Sequence, residues 1–297
     1  MSKRLWPAAV VLVLFGLLSA QEVSLAPAKS YIQNIRFENV SHLSAVQKAQ
    51  LNQDLQDQNP REVTTPRALV DRIEQAVLAA YADGGYWKVR LRVEKLPAHD
   101  AFDGEVSFLV RAIEEGRQYR LEDLQWNGVK AYPESNLSQL VPIHSGQILE
   151  RNQIAEGMEA VRRLYLGGGY LSYVAVPEVK MNEHDGTAEV RIDVDEGGLF
   201  TVQGFDVIGL TPALRARLLQ AWPFKPGDIY RGENVENFLN SNAALLPPMV
   251  AADIVCRTVD LSSHTIEFVL DFRPQPACDS QPEAQVIRQS LVLSGNH

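Results

Sequence analysis

Ile113-Glu114-Glu115-Gly116-Arg117-Gln118-Tyr119-Arg120-Leu121 returns later in the chain as Val194-Asp195-Glu196-Gly197-Gly198-Leu199-Phe200-Thr201-Val202. Each copy holds the apolar end of a strand, two acids, a glycine, and an aromatic that opens another strand. A phrase that closes one unit and opens the next marks a repeat boundary, and a repeat decides the fold before any single element does. The two copies divide the chain into units of roughly 80 residues.

Each unit opens on an alternating strand. Ile35, Phe37 and Val40 correspond to Leu124, Trp126 and Val129, and then to Phe205, Val207 and Leu210. Alternation with period two means one buried face. A short helix follows, over 44–58, 134–140 and 212–221. Ser44 suits the cap of the first, with Val46, Leu51 and Leu55 roughly at helical spacing, and Pro212 suits the first turn of the third. A longer helix comes next. In the first unit Thr65 caps it and Leu69, Ile73, Val77 and Ala80 form its apolar stripe; in the second the stripe is Ile154, Met158, Val161 and Tyr165. Both end alike, in Gly84-Gly85-Tyr86 and Gly168-Gly169-Tyr170, where glycine permits the left-handed backbone that stops a helix. Two strands then close each unit, over 87–96 and 104–113, 171–179 and 187–194, and 252–259 and 265–272. Asn182, Asp185 and Gly186 favour a hairpin turn between the second pair.

The expected fold class is therefore α+β, with three tandem β-α-α-β-β modules over 30–117, 118–198 and 199–274, and a tail over 275–297. The third module departs from the pattern. Its long helix, near 234–246, stops at Pro247-Pro248 instead of glycines. It ends in Asp271-Phe272-Arg273-Pro274 with no acid-glycine phrase, so the array stops there.

The N-terminus pairs Lys3 and Arg4 with an apolar run over 10–18 that ends in Leu18-Ser19-Ala20, the pattern of a secretory signal over 1–20. A cut after Ala26 and a retained anchor are the alternatives. The run is shorter than the about 20 residues of a membrane span. An exported, periplasmic chain follows. Loss of Lys3 and Arg4 takes the net charge from -9 to -11, which argues against nucleic acid as partner, since phosphate binding needs clustered cations. Cys256 and Cys278 are the two cysteines. In an oxidising compartment an even count favours a disulfide, closing a loop of roughly 20 residues and contributing about 3 kcal/mol; two free buried thiols are the alternative. The tail holds too few strands for an outer-membrane barrel, which needs at least about eight.

No catalytic or metal-binding constellation emerges, and no cofactor is expected. The six histidines fall in loops, helix entries or the terminus without metal-ligand spacing. His184, between Glu183 and Asp185, reads as a solvated turn. No serine sits in a G-x-S-x-G elbow, and Gly167-Gly168-Gly169 follows a helix where a phosphate loop would precede one. The paired acids Glu114-Glu115 and Asp195-Glu196 point to opposite faces of their strands and share no substrate well; they read as solvated charges.

The β-α-α-β-β order, Gly-Gly-Tyr after the second helix, and the acid-acid-Gly…aromatic phrase resemble POTRA domains, the periplasmic arm of bacterial outer-membrane assembly and two-partner secretion barrels. The resemblance covers about residues 30–274. It implies a three-stranded mixed sheet with two helices on one face in each module. Glu115, Gly116 and Tyr119, and Glu196, Gly197 and Phe200, become module junctions. It also implies that the middle strand of each unit lies on an open edge, able to take an extended peptide as a further strand. The candidate peptide-binding residues are Trp87, Val89, Leu91 and Val93, Leu171 and Tyr173, and Ile254 and Cys256. Lys88, Arg90 and Arg92 alternate along the first edge, where they serve either a client or protection against aggregation. Pro177 removes one donor from the second. The expected function is a non-enzymatic scaffold or chaperone for outer-membrane or secreted polypeptides. Its partners would be a β-barrel protein or an unfolded client, with peripheral membrane association through the barrel. A docking adaptor without clients and an envelope hydrolase are the alternatives.

Overall fold

The computed structural model describes residues 30–57, 65–97, 105–246 and 255–273. The first module runs β1 (Tyr31–Glu38), α1 (Ala45–Asp57), α2 (Pro66–Asp83), β2 (Arg90–Lys95) and β3 (Glu105–Glu114). The second runs β4 (Arg120–Asn127), α3 (Glu134–Ser138), α4 (Arg151–Gly167), β5 (Val174–Asn182) and β6 (Thr187–Asp195). The third runs β7 (Thr201–Ile208), α5 (Pro212–Ala221), α6 (Gly232–Ser241), β8 (Val255–Asp260) and β9 (Thr265–Asp271). The sheets are ordered β1-β3-β2, β4-β6-β5 and β7-β9-β8. In each, the last strand is central, parallel to the first and antiparallel to the middle one. The α+β fold class of three mixed three-stranded modules is what the repeat predicts.

Each module has its own core. The central strands bury alternate residues: Val106, Phe108 and Val110 on β3, Ala188, Val190 and Ile192 on β6, Ile266, Phe268 and Leu270 on β9. Helix α2 lays Leu69, Ile73, Val77 and Tyr81, all fully buried, on the first sheet. Spacing of four residues keeps them in one stripe. The Thr65 hydroxyl accepts a hydrogen bond from Ala68 N–H and caps this helix. In α4, a Cβ at Gly157 would lie 2.6 Å from Val141 Cα, so only glycine allows the helix to approach residue 141 this closely. In the third module Trp222 stacks on Phe205 with ring centroids 3.8 Å apart and ties two groups of buried side chains together.

Several expectations need correction. Val46 does not join the stripe of α1; it is 78% exposed, and Leu55 is the residue that helix buries. The middle strands begin three residues later than alternation suggests, at Arg90 and Val174. Trp87, Val89, Leu171 and Tyr173 therefore precede the edge strands, because each is drawn into a core. Val89 packs on the first core and Trp87 on the second, Tyr173 is buried in the second, and Leu171 packs on the third. Helix α6 stops at Ser241, and a 3₁₀ turn, Ala243–Leu245, follows. Residues 1–20, Pro247-Pro248, Ile254, Cys278 and the tail over 275–297 lie outside the described residues.

A second repeated phrase accompanies the first. Gly146-Gln147-Ile148-Leu149 and Gly227-Asp228-Ile229-Tyr230 occupy equivalent positions, with Gly146 at φ 86° and Gly227 at φ 92°. Each runs extended beside the first strand of its module. Leu121 N–H donates to Gln147 O and Leu149 N–H to Tyr119 O, both at 2.9 Å; Val202 N–H donates to Asp228 O and Tyr230 N–H to Phe200 O, both at 2.8 Å. The outer sides of β4 and β7 are thereby partly paired. Among the described residues, the opposite sides of those sheets, β5 and β8, are the open edges.

Candidate functional site

The two junction phrases build the same backbone device. Gly85 (φ 81°) and Gly169 (φ 97°) follow the long helices in left-handed conformation. The carbonyl of each accepts the N–H of the junction aromatic: Tyr119 N–H donates to Gly85 O and Phe200 N–H to Gly169 O, both at 2.9 Å. Both aromatic rings are buried. The Gly-Gly-Tyr signal and the acid-acid-Gly…aromatic signal are thus two halves of one contact.

The second acid of each phrase closes the module. Glu115 accepts from Ser41 N–H at 2.7 Å, His42 N–H at 3.0 Å, the Tyr81 hydroxyl at 2.5 Å and the Ser41 hydroxyl. Glu196 accepts from Lys130 N–H at 2.7 Å and from Ala131 N–H and the Tyr165 hydroxyl, both at 2.8 Å. Burial alone would raise the Glu115 carboxyl, but hydrogen bonds from Ser41, Tyr81 and the His42 backbone outweigh it and hold it down at about 2. The same balance lowers Glu196. Burial, with the adjacent glutamate, pushes Tyr81 and Tyr165 upward. These glutamates are therefore not merely solvated charges, as the sequence suggests. They pin the loop after the first strand to the long helix. The neighbouring acids diverge, as strand geometry requires: Glu114 pairs with Arg90 at 2.6 Å, and Asp195 accepts from Gly197 N–H at 3.1 Å.

Side chains distinguish the joints. At the first, the Trp87 indole N–H donates to Leu149 O at 2.7 Å and the Gln118 amide to Gly84 O at 2.9 Å. Arg151 meets Asp83 at 3.1 Å, Arg117 donates to Glu183 O at 2.7 Å, and Lys88 pairs with the Glu183 carboxylate. At the second, Leu199 replaces Gln118, Leu171 replaces Trp87, Ser172 replaces Lys88 and Gly198 replaces Arg117. Arg231 reaches Gly168 O at 2.6 Å, and the His264 ring lies edge-on to Phe200, with centroids 5.1 Å apart. Leu199 is 39% and Ile229 41% exposed, and both flank Gly169.

The edge strands diverge in the same way. On β2, Arg90 and Arg92 are exposed while Leu91 and Val93 turn toward the first core. The equivalent outward residues of β5 are Val174 and Val176, 50% and 54% exposed. Pro177 faces Ile192 without breaking the β5–β6 register, which fits a proline whose missing N–H points away from the partner strand. Cys256 lies on β8 opposite Val269. Among the described residues, no His, Cys, Asp and Glu grouping is arranged to hold a metal, and no helix is long and apolar enough to cross a membrane.

Residues 119–197 match the POTRA family, described as a surface antigen variable number repeat. The solved structure of Haemophilus influenzae BamA POTRA3-5 superposes with a TM-score of 0.53 at 18% identity, covering 82% of this chain and 95% of that one. The fold is that of a tandem POTRA array. The outer membrane protein assembly factor BamA of Neisseria meningitidis serogroup B is 23% identical over 176 residues, 54% of this chain. The chain spans 22% of the length of that relative. The POTRA match covers the second module, from its junction aromatic Tyr119 to the Gly197 of the next junction phrase, and so holds Tyr119 of the first contact, Gly169 of the second and the whole Glu196 clamp, while Gly85 and Phe200 lie outside it.

Proposed function

We propose that this chain is a non-enzymatic scaffold of the bacterial periplasm that serves outer-membrane protein assembly or transport. It binds an extended segment of another polypeptide as an added strand. The observation that carries this reading is the β5 edge, which has no paired strand among the described residues and has two outward valines where the first module has arginines. Main-chain pairing tolerates many client sequences, and alternate side chains tune preference. The POTRA fold and the likeness to an assembly factor support the class of function. Arg90 and Arg92 fit the protective role for the β2 edge, since natural edges carry cations against aggregation. The module limits at 117/118 and 198/199 and a Cys256–Cys278 disulfide belong to the same proposal.

Immobilised mature chain, presented with an envelope extract, should retain barrel proteins or their unfolded precursors. Val174→Arg/Val176→Arg should retain less than the parent. Recovery of neither class, or equal recovery by both proteins, would sink the proposal. Recovery of a folded barrel that is indifferent to the valines would instead favour a docking adaptor.

A further inference from the structure

The β2 and β5 edges also differ in how the acid behind them is neutralised. Glu114 and Asp195 hold the same place in the two junction phrases, and each lies opposite an outward residue of the middle strand, Arg90 and Val174 respectively. In the first module the sheet answers its own acid. Arg90 Nη2 lies 2.6 Å and Nε 2.9 Å from the Glu114 carboxylate. In the second module Val174 brings no charge. Asp195 accepts from Gly197 N–H at 3.1 Å and makes no ion pair among the described residues. The cations of β5 and β6 are engaged elsewhere: Lys180 lies 3.9 Å from Glu189, and Arg191 lies 3.5 Å from Asp193 and pairs with Glu178.

A strand added to β5 lies two strand spacings, about 10 Å, from β6. Side chains on its solvent face stand beside Val174 and Val176, whose partners on β6 are Asp195 and Asp193. A lysine or arginine there lays its apolar stem over the valine and extends its charged head toward the carboxylate behind. A short side chain leaves the valine uncovered, and an acidic one sets like charges together. A valine backed by an aspartate is thus complementary to one kind of residue. Asp195 is the stronger of the two attractors, because Asp193 already has Arg191 and accepts the Asn127 amide at 2.9 Å.

We infer that the β5 edge selects extended polypeptide segments that carry a lysine or arginine beside Val174, with its head on Asp195, and a second cation two residues away beside Val176. The partner supplies in trans the charge that Arg90 supplies within the first module. This inference rests on β5 receiving an added strand and names what that strand carries.

Three synthetic peptides of one extended sequence, differing only in two alternate residues, test it: Lys-x-Lys, Gln-x-Gln and Glu-x-Glu. Each is titrated into the isotopically labelled chain, and the amide shifts of β5 give the affinity. The Lys peptide should bind about tenfold more tightly than the Gln peptide, and the Glu peptide should bind most weakly. Asp195→Asn should cut that advantage to about twofold and leave the Gln peptide unchanged; it keeps a side-chain oxygen for Gly197 N–H, so the turn holds. Salt at about 1 M should shrink the advantage in the parent. Val174→Arg, which places the cation in cis, should remove it. Equal affinity for the three peptides would overturn the inference and leave strand addition standing, whereas no shift on β5 with any peptide would overturn both. A Lys preference that survives Asp195→Asn would overturn it as well. So would β5 shifts that grow with chain concentration before peptide is added, because a second copy, with Arg90 and Arg92 at the same spacing, would then hold the edge.

Discussion

The two joints of this array share a backbone and differ in side chains. In both, a left-handed glycine after the long helix accepts from a buried aromatic, and a glutamate ties the first loop of the preceding module to a buried tyrosine. Around this frame the first joint carries Lys88, Arg90, Arg92, Arg117, Gln118 and Glu183, and the second carries Ser172, Val174, Val176, Gly198, Leu199 and Leu261. The geometry of a joint is thus set by main-chain groups and one carboxylate, which leaves the surrounding positions free to differ in chemistry. The third module extends the lesson. Its buried acid, Asp271, pairs with Arg273 two residues on, at 2.6 Å. Among the described residues no further module begins there and no third tyrosine–glutamate clamp forms.

The clamp should give the largest effects if it is the shared frame. Glu115→Ala and Glu196→Ala are each expected to cost about 3 kcal/mol, because a buried tyrosine hydroxyl and two amides lose their acceptor. Denaturant unfolding of each variant checks this, and similar losses at the two joints would support a common frame. The pH dependence follows from the lowered carboxyl. Its folded value, about 2 against 4.5, means that the Glu115 contribution is full above pH 4.5 and is lost as pH falls toward 2. Acid titration of Glu115→Gln should show a shallower loss of stability across that window than the parent.

A Cβ at Gly169 would lie 2.7 Å from the backbone oxygen of Tyr230, whereas at Gly85 it would first meet the Ile148 side chain. Both positions carry left-handed strain of about 1–2 kcal/mol for alanine. Gly169→Ala should cost about 1 kcal/mol more than Gly85→Ala, because a backbone atom yields less readily than a side-chain methyl. Thermal unfolding of the two variants ranks them, and the reverse order would break the equivalence of the joints.

Next in size is the Trp87 indole, which seals the first joint. Trp87→Phe keeps much of the packing but removes the donor to Leu149 O, for an expected loss of about 1 kcal/mol. Leu171→Ala should cost about 2 kcal/mol by leaving a partial cavity at the second joint, and calorimetry compares the two. The smallest effect is expected from Lys88→Ala. Its pair with Glu183 is solvent-exposed, and such pairs add little to stability. A marked, salt-insensitive destabilisation would show that the charged rim also holds the joint.

Much of this architecture is legible in the residues because its signals are local. Gly-Gly-Tyr stops a helix whatever surrounds it, and strand alternation declares a buried face. What is less legible depends on partners distant in sequence. Tyr81 and Glu115 are 34 residues apart, and nothing near Glu115 reveals that its carboxylate is enclosed by donors. Trp87, Val89, Leu171 and Tyr173 alternate like strand residues, yet the chain there crosses a joint and their side chains enter cores. The Gly-x-Ile phrases at 146–148 and 227–229 were available as a repeat, but their role needed the hydrogen bonds that set them beside β4 and β7. The contrast between Arg90-x-Arg92 and Val174-x-Val176 becomes visible only once register places the two pairs at equivalent positions.

Under the proposed function, the edge of β5, and not that of β2, receives an added strand. Amide chemical shifts of the isotopically labelled mature chain, titrated with a peptide copying one strand of an outer-membrane barrel, test it most directly. Shifts should concentrate on Val174–Asn182, pass over Pro177, and disappear in Val174→Arg/Val176→Arg. Shifts centred on Arg90–Lys95, or equal shifts in the parent and the double variant, would contradict it.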